Sequence, residues 1–322
     1  MNDPFELTAP RGGHAPLVLD SPHSGTSYPD DFRPAVAVEL LKQAEDSYVD
    51  ELYGSGPDVG ATLIAARFPR SYIDANRSLL DIDASLLDAP WPGPAVPSAK
   101  TQKGIGLIWR VLDSGESIYD RKLGVEEVKQ RIVRYHQPYQ RALKKALDEV
   151  HDHFGAVWHL NLHSMPAVSG RISEEGPGRA RADFVLGDRD GSTCEPEFTA
   201  RVAEVLRGMG YQVKINDPYK GVELVRAFSD PKANRHSLQV EVNRKLYMDE
   251  KTRARTAGFG PLKRNLDQLL QEVAAYASKR CAEVVGEHHH HHHHDDHHGH
   301  GHGHHDHDHD HDHHDHDPSH KH

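Results

Sequence analysis

The segment PLVLDSPHSG, residues 16–25, joins a short apolar run to a Pro-His-Ser-Gly turn. Its first five residues are almost all apolar, which is typical of a strand buried on both faces of a parallel sheet. The turn places a single imidazole, His23, directly after this strand. Ligands of open α/β sheets bind where the parallel strands end, so the segment predicts a role for His23 in a binding site.

Similar runs recur five more times along the chain. Segments with apolar residues at i, i+3 and i+4 separate them and predict amphipathic helices, one over 35–54 and a last one over about 251–280. This alternation predicts an α/β fold with a mixed, mostly parallel central sheet and helices on both faces. Two Pro- and Gly-rich stretches, 80–103 and 169–182, are typical of binding loops. The predicted strands cover residues 16–20, 61–68, 157–163, 183–188, 211–216 and 237–243.

The composition changes abruptly at residue 287. Of the 29 His residues, 21 lie between residues 288 and 322, interspersed with Asp and Gly. Such a composition forms no packed core, so we expect residues 1–286 to be one catalytic domain and residues 287–322 to be a disordered tail. Imidazole is a common ligand of zinc, nickel and copper, so the tail predicts binding of additional zinc or nickel ions. A cloning-derived tag is the alternative explanation.

The charge of the chain is concentrated in this tail. The net charge is −11, and the tail accounts for −8 because it holds eight Asp, one Glu and one Lys. The rest of the chain lacks the basic stripe of nucleic-acid-binding proteins. Its first ten residues show neither the basic nor the apolar region typical of a signal peptide, and no apolar run approaches about 18 residues. Its two cysteines form no metal or disulfide motif. We therefore expect a cytoplasmic protein without nucleic-acid or membrane partners.

Polar side chains stand at the ends of three predicted strands. His23 follows the first strand, His163 ends the strand at 157–163, and Glu241 lies near the end of the strand at 237–243. A hydrogen-bonded His or an edge-strand salt bridge would explain any one of them. Two His and a carboxylate match the ligand set of a catalytic zinc site, which also needs an unligated carboxylate to accept a proton from the attacking water. Glu241 is placed for this second role.

The stretch RFPRSYIDANR, residues 67–77, follows another predicted strand and concentrates polar groups. It contains Arg70, Asp74, Asn76 and Arg77. A guanidinium can bind a carboxylate through two parallel hydrogen bonds, and a neighbouring amide can fix the rest of the ligand. The stretch therefore predicts an anionic substrate, with a solvated charged loop as the alternative.

Six motifs occur in this order between residues 21 and 250: SPHSGTSYP, EDSYVDELY, RFPRSYIDANR, LNLHSMP, YKGVELVR and QVEVNRKLYMDE. Together they resemble the N-formylglutamate amidohydrolase family. The resemblance implies a fold similar to that of the zinc carboxypeptidases and aspartoacylase. It also implies zinc-dependent hydrolysis of N-formyl-L-glutamate, or of a similar N-acyl amino acid, to formate and L-glutamate in amino-acid catabolism.

The resemblance further implies a role for each residue of the site. His23 and His163 bind zinc, and Glu241 activates the water. The residues implied to bind the anionic substrate carry amide or guanidinium groups: Arg70, Asn76, Arg77 and Arg226. Of these, Asn76 and Arg77 resemble the carboxypeptidase pair that binds the substrate carboxylate and polarises the scissile carbonyl. Arg226 matches a position that would bind a second carboxylate.

The third zinc ligand departs from the carboxypeptidase pattern. In those enzymes the carboxylate ligand stands three residues after the first His, where this chain has Thr26. The Asp that the family carries in the following helix matches Asp46, and Glu45 is the alternative. Asp50, one helical turn further on, would lie on the same face and orient a ligand His.

Two other functions remain open from the sequence. The tail is compatible with a protein that stores or delivers zinc or nickel, although such a protein needs no general base. The loop at 80–103 could also shape the pocket for larger acyl groups, as in an aminoacylase or a carboxypeptidase-like hydrolase of other N-acyl amino acids.

Overall fold

The structure is a computed structural model that describes residues 3–291. All six predicted strands are present, and the structure adds a short one near the N terminus that the sequence prediction missed. The strands are β1 (Phe5–Thr8), β2 (Leu17–Ser21), β3 (Thr62–Ala66), β4 (Val157–Met165), β5 (Phe184–Gly187), β6 (Val213–Ile215) and β7 (Arg235–Asn243).

The strands form one sheet in the order β1-β3-β2-β4-β7-β5-β6. Its centre, β3-β2-β4-β7, is parallel throughout. Strand β1 is antiparallel to β3, and β5 is antiparallel to β7 but parallel to β6. The prediction of a mixed, mostly parallel sheet is confirmed.

Helices cover both faces of this sheet, as predicted. Within residues 3–291 the α-helices are α1 (Val38–Leu41), α2 (Val49–Leu52), α3 (Ala99–Gln102), α4 (Val125–Arg131), α5 (Gln137–Phe154), α6 (Pro196–Gly208), α7 (Glu223–Phe228) and α8 (Phe259–His291). A π-helical turn joins α4 to α5. Helix α5 packs on β2, β3 and β4, whereas α8 packs against β4, α2 and α6.

Alternation along β4 separates the apolar core from a polar strip. Side chains of a strand point in turn to opposite faces of the sheet. Trp158, Leu160 and Leu162 enter the core beneath α6 and α8, and each fully buried Leu contributes about 1.5–3 kcal/mol to folding. The other face of β4 carries polar residues, which pair in register with polar residues of β7: His159 with Ser237, Asn161 with Gln239 and His163 with Glu241. This polar strip leads to the carboxyl edge of the sheet.

Two helix predictions are corrected by the structure. The continuous helix expected over 35–54 is wrong, because the chain forms α1 and α2 with a break between them, and Tyr48 has a positive φ of 66°. The last helix begins at Phe259 and continues to His291, past the predicted tail boundary at residue 287. The rest of the predicted tail, residues 292–322, lies outside the described residues.

Candidate active site

The turn after β2 is fixed by a close backbone contact at Gly25. A Cβ atom at this position would lie 2.2 Å from the carbonyl oxygen of Phe68, so only glycine allows the two segments to meet. The backbone N–H of Ser27 donates to the carbonyl of Arg67 at 2.8 Å. These contacts hold the His23 loop against the end of β3, with the His23 side chain buried.

His23, Asp46 and His163 form a buried group that could hold a metal ion. The Nδ1 atoms of the two His lie 3.1 Å apart, and Asp46 Oδ2 lies 3.4 Å from His23 Nδ1 and 3.1 Å from His163 Nδ1. Tetrahedral zinc, with ligand bonds of about 2.0–2.1 Å, separates its ligand atoms by about 3.3 Å. The spacing of the three atoms therefore fits a tetrahedral metal.

The outer nitrogens of both His have hydrogen-bond partners that fix the inner ones. His23 Nε2 donates to Asp74 Oδ1 at 2.6 Å, and His163 Nε2 donates to Asn161 Oδ1 at 2.7 Å. With the proton on Nε2, each Nδ1 presents a lone pair toward Asp46. Three acceptors thus converge on one point, which is the donor chemistry that a cation requires.

The break between α1 and α2 delivers Asp46 to this point. The backbone N–H of Asp46 donates to the carbonyl of His23 at 2.9 Å, which ties the break to the β2 turn. Arg244 donates to Asp46 Oδ1 at 3.0 Å. Burial alone would raise the pKa of Asp46, but its contacts with His163, His23 and Arg70 hold that pKa well below its usual range. Asp46 is therefore ionised and ready to bind a cation.

A buried polar network supports His163 from below. Asp20 Oδ1 accepts hydrogen bonds from Asn161 Nδ2 at 2.8 Å and from His159 Nε2 at 2.7 Å, and Asp20 Oδ2 accepts from Tyr139 at 2.7 Å. Asp20, His159, Asn161 and Tyr139 are fully buried. Because Asn161 Nδ2 is committed to Asp20, its oxygen must face His163. The charge of Asp20 thus acts on His163 through one amide.

Glu241 lies beside this group in the register of the sheet. It pairs with His163 across the β4–β7 ladder and is 7% exposed. Gln239 Nε2 donates to Glu241 Oε1 at 3.0 Å, which orients the carboxylate. Burial raises the pKa of Glu241 to about 7, despite the opposing influence of His163. A carboxyl group with such a pKa, next to a candidate metal site, is suited to exchange protons near neutral pH.

A pocket of about 290 Å³ opens over these residues. His23, His163 and Glu241 line it together with Arg70, Asn76 and Arg77 from the segment after β3. Asn76 Oδ1 accepts from the backbone N–H of Leu224 at 2.9 Å, so its amide is held in place. The structure therefore brings together all the residues predicted for the site except Arg226. Asp46 does not line the pocket itself but contacts His23 and His163, which do.

Three side chains from the sequence analysis lie away from this pocket. Arg226 is 54% exposed and forms an ion pair with Glu223 at 2.8 Å. Glu45 is buried but accepts hydrogen bonds from Tyr28 and Ser47, and it is not part of the possible metal group. Asp50, expected to orient a ligand His, has no such contact among the described residues, since the helix carrying both Asp46 and Asp50 does not form. Asp74 and Asn161 orient the two His instead.

Several residues of the site were missed by the sequence analysis. Asn161 and Gln239 are polar residues at alternate positions of largely apolar strands, a signal that was available. Both predicted binding loops line the pocket, the first through Lys100 and Lys103 and the second through residues between 170 and 181. The position of Lys100 had no signal in the sequence, because periodicity does not predict where a loop packs.

Fold and site together define an α/β protein with a candidate hydrolytic site: possible metal ligands, a buried carboxylate and a cationic pocket lie at the carboxyl ends of parallel strands. A sequence model of N-formylglutamate amidohydrolase matches residues 15–248. The chain therefore belongs to the N-formylglutamate amidohydrolase family and is a hydrolase that acts on an amide bond.

Individual relatives agree with this assignment. The N-formylglutamate deformylase of Pseudomonas putida is 29% identical over 274 residues, which cover 83% of this chain and 96% of the relative. The enzyme of the same name from Pseudomonas aeruginosa is 27% identical, with coverages of 86% and 99%. The crystal structure of N-formylglutamate amidohydrolase from Ralstonia eutropha JMP134 is 51% identical, with a TM-score of 0.82, and the match covers 86% of this chain and 99% of that one.

A more distant solved structure shares the fold. The gene product Atu2144 of Agrobacterium tumefaciens is 16% identical, with a TM-score of 0.62 over 85% of this chain and 96% of that one. None of the helices within residues 3–291 combines the length and the apolar character needed to cross a membrane.

Proposed function

We propose that this protein is a zinc-dependent deformylase that hydrolyses N-formyl-L-glutamate to formate and L-glutamate. One observation carries the proposal. Glu241 lies beside the His23–Asp46–His163 group at a pocket that is lined by guanidinium groups. The names of the relatives support the same substrate. A screen of N-acyl amino acids with the zinc-loaded protein, with formate assayed directly, tests it.

The residues of the pocket divide the reaction among them. When bound, zinc supplies Lewis acidity and makes water nucleophilic at neutral pH. Glu241 accepts a proton from the water molecule while the oxygen of that water attacks the formyl carbon. The same carboxyl group then donates that proton to the leaving nitrogen as the C–N bond breaks, so the acid and base roles alternate. Asn76 and Arg77 hold the substrate carboxylate and keep the formyl group beside Glu241.

The cationic pocket favours a substrate with two carboxylates. We expect N-formylglutamine, which lacks the side-chain charge, to react with a kcat/KM roughly 30-fold or more below that of N-formylglutamate. An unpaired buried charge costs on the order of 2–5 kcal/mol, which corresponds to at least this factor. Formate release from the two substrates measures the ratio. Equal rates would remove the dicarboxylate specificity, and activity confined to longer acyl groups would favour an aminoacylase.

The network behind His163 should control how tightly zinc is held. In Asn161→Leu, His163 Nε2 and Asp20 each lose a hydrogen bond, and we expect zinc affinity to fall roughly 10- to 100-fold, as for other groups that orient metal ligands. Chelator competition on the folded variant measures this change. Tyr139→Phe is the matched control, since it removes a different donor to Asp20 and leaves the Asn161–His163 bond intact. If both variants weaken zinc equally, Asn161 has no specific role.

The His-rich tail gives a second proposed activity. We propose that it binds additional zinc or nickel, on the strength of its 21 His residues. Beyond His291 the tail lies outside the described residues, so composition is the support for this proposal. A protein devoted to metal storage would not need the arrangement around Glu241, and for this reason we place the tail second to the amidohydrolase activity.

A further inference from the structure

The cations that line the pocket differ in how their charges are balanced. Most of them have a carboxylate within about hydrogen-bond distance: Arg244 with Asp46 at 3.0 Å, Arg181 with Glu175 at 3.0 Å, Lys220 with Asp190 at 2.8 Å and Arg70 with Asp74 at 3.2 Å. Among the described residues the only ion-pair partner of Lys100 is Glu174, whose Oε1 lies 3.9 Å from Lys100 Nζ. The Glu174 side chain is 61% exposed. Lys103 has no ion pair within the described residues, but its Nζ donates to the carbonyl of Ile172 at 3.1 Å. Lys100 is therefore the lysine lining the pocket whose ammonium group has neither a close carboxylate nor a hydrogen bond among the described residues.

Lys100 is also largely buried and close to other positively charged groups. Its side chain is 26% exposed and lies near the guanidinium groups of Arg77 and Arg70. Burial, followed by the charge of Arg77, lowers the pKa of Lys100 to about 8. A largely desolvated cation next to other cations is unfavourable unless an anion joins them. The position suits a site completed by an anionic ligand.

The loop that carries Lys100 is firmly anchored. Asp81 Oδ1 accepts hydrogen bonds from the backbone N–H of Ser98 at 3.0 Å and from the hydroxyl of Thr101 at 3.1 Å. Lys103 Nζ donates to the carbonyl of Ile172 at 3.1 Å, which ties this loop to the second binding loop. Helix α3 therefore presents Lys100 to the pocket from a fixed position.

Arg77, the neighbouring cation, has only part of its donor capacity in use. Its Nε donates to the carbonyl of Ile105 and its Nη1 to the carbonyl of Asn76, both at 3.0 Å. No hydrogen bond within the described residues involves Nη2. The pocket thus offers two separate cationic donors, Arg77 Nη2 and Lys100 Nζ, to a ligand with two carboxylates.

We propose that Lys100 is a specificity-determining residue that binds the side-chain carboxylate of the substrate, while Arg77 binds the α-carboxylate. The inference rests on the proposed function, because it assigns the two charges of an N-formylated dicarboxylic amino acid. It gives to Lys100 the second-carboxylate role that the sequence had suggested for Arg226.

Lys100→Met tests the proposal, because it removes the charge and keeps an unbranched apolar stem. In the full-length, zinc-loaded chain, kcat/KM for N-formylglutamate should fall roughly 30-fold or more, whereas the value for N-formylglutamine should stay within about threefold. The preference for glutamate should therefore collapse. Discrimination against N-formylisoglutamine, which lacks the α-carboxylate charge, should persist because Arg77 is unchanged.

Control variants separate this role from a general effect on folding. Lys100→Gln should lose the same preference, and Lys100→Arg should keep much of it. Lys129→Met removes an exposed lysine paired with Glu126 and should behave as the unsubstituted enzyme. If Lys100→Met and Lys100→Gln keep the glutamate preference, or slow both substrates equally, the inference is wrong and the proposed function stands. Failure of the unsubstituted enzyme to release formate from N-formylglutamate would instead overturn the proposed function.

Discussion

Replacing Glu241 by Gln should lower kcat by roughly 10² to 10⁴, the range usual for general acid-base groups, while fold and bound zinc are retained. The amide is almost the same size as the carboxylate, so the packing around it is preserved. It cannot accept a proton from the attacking water or return one to the leaving nitrogen. The loss should therefore appear in kcat more than in KM, because the variant keeps Arg77 and Asn76, the residues proposed to hold the substrate.

Glu45→Gln provides the matched control for this variant. Glu45 is also a buried carboxylate, but it contacts Tyr28 and Ser47 and does not line the pocket. We expect its kcat and zinc content to stay near those of the unsubstituted enzyme. Steady-state formate release and metal analysis of both variants decide the matter. Substantial loss of zinc from Glu241→Gln would make Glu241 a ligand, and a near-normal kcat would leave it a structural role only.

The sheet and much of the site could be predicted because their signals are local. Continuous apolar runs identified every central strand, and the polar residues that end these runs identified His23, His163 and Glu241. Parallel strands bring their carboxyl ends to one edge, so residues 140 positions apart along the chain meet there. Strand β1 was missed because its four residues, FELT, show little pattern and lie at the edge of the sheet.

The break at Asp46 could not be predicted from local pattern. The segment AVAVELLKQAEDSYVDELYG has the composition and periodicity of one helix, yet a tertiary contact between Asp46 and His23 overrides that preference. Arg226 shows the opposite case. The motif ELVR places Glu223 and Arg226 at i and i+3, a spacing that favours an ion pair on a helix surface, and the structure contains this pair. The spacing therefore indicates that Arg226 lies on the helix surface and not in the pocket.

The proposed zinc site should bind its metal independently of the tail. We expect a chain ending after Gly286, which lacks all 21 His residues of the tail, to keep about one tightly bound zinc, and His163→Ala in that chain to keep none. Removing the His163 imidazole leaves only His23 and Asp46 as candidate ligands. It also removes the hydrogen-bond partner of Asn161 Oδ1. His14→Ala, which removes an exposed His, should retain its zinc. Metal analysis after dialysis against a weak chelator measures all three.

Comparing this shortened chain with the full chain separates the two proposed activities. An amidohydrolase keeps its turnover without residues 287–322 as long as zinc is plentiful, because Glu241 and the three candidate ligands all lie before them. A storage protein would lose nearly all of its metal capacity on the same truncation. If the shortened chain were active while free of metal, the proposed zinc-dependent mechanism would be wrong. If the shortened chain bound zinc but hydrolysed no N-acyl amino acid, the proposed substrate class would be wrong.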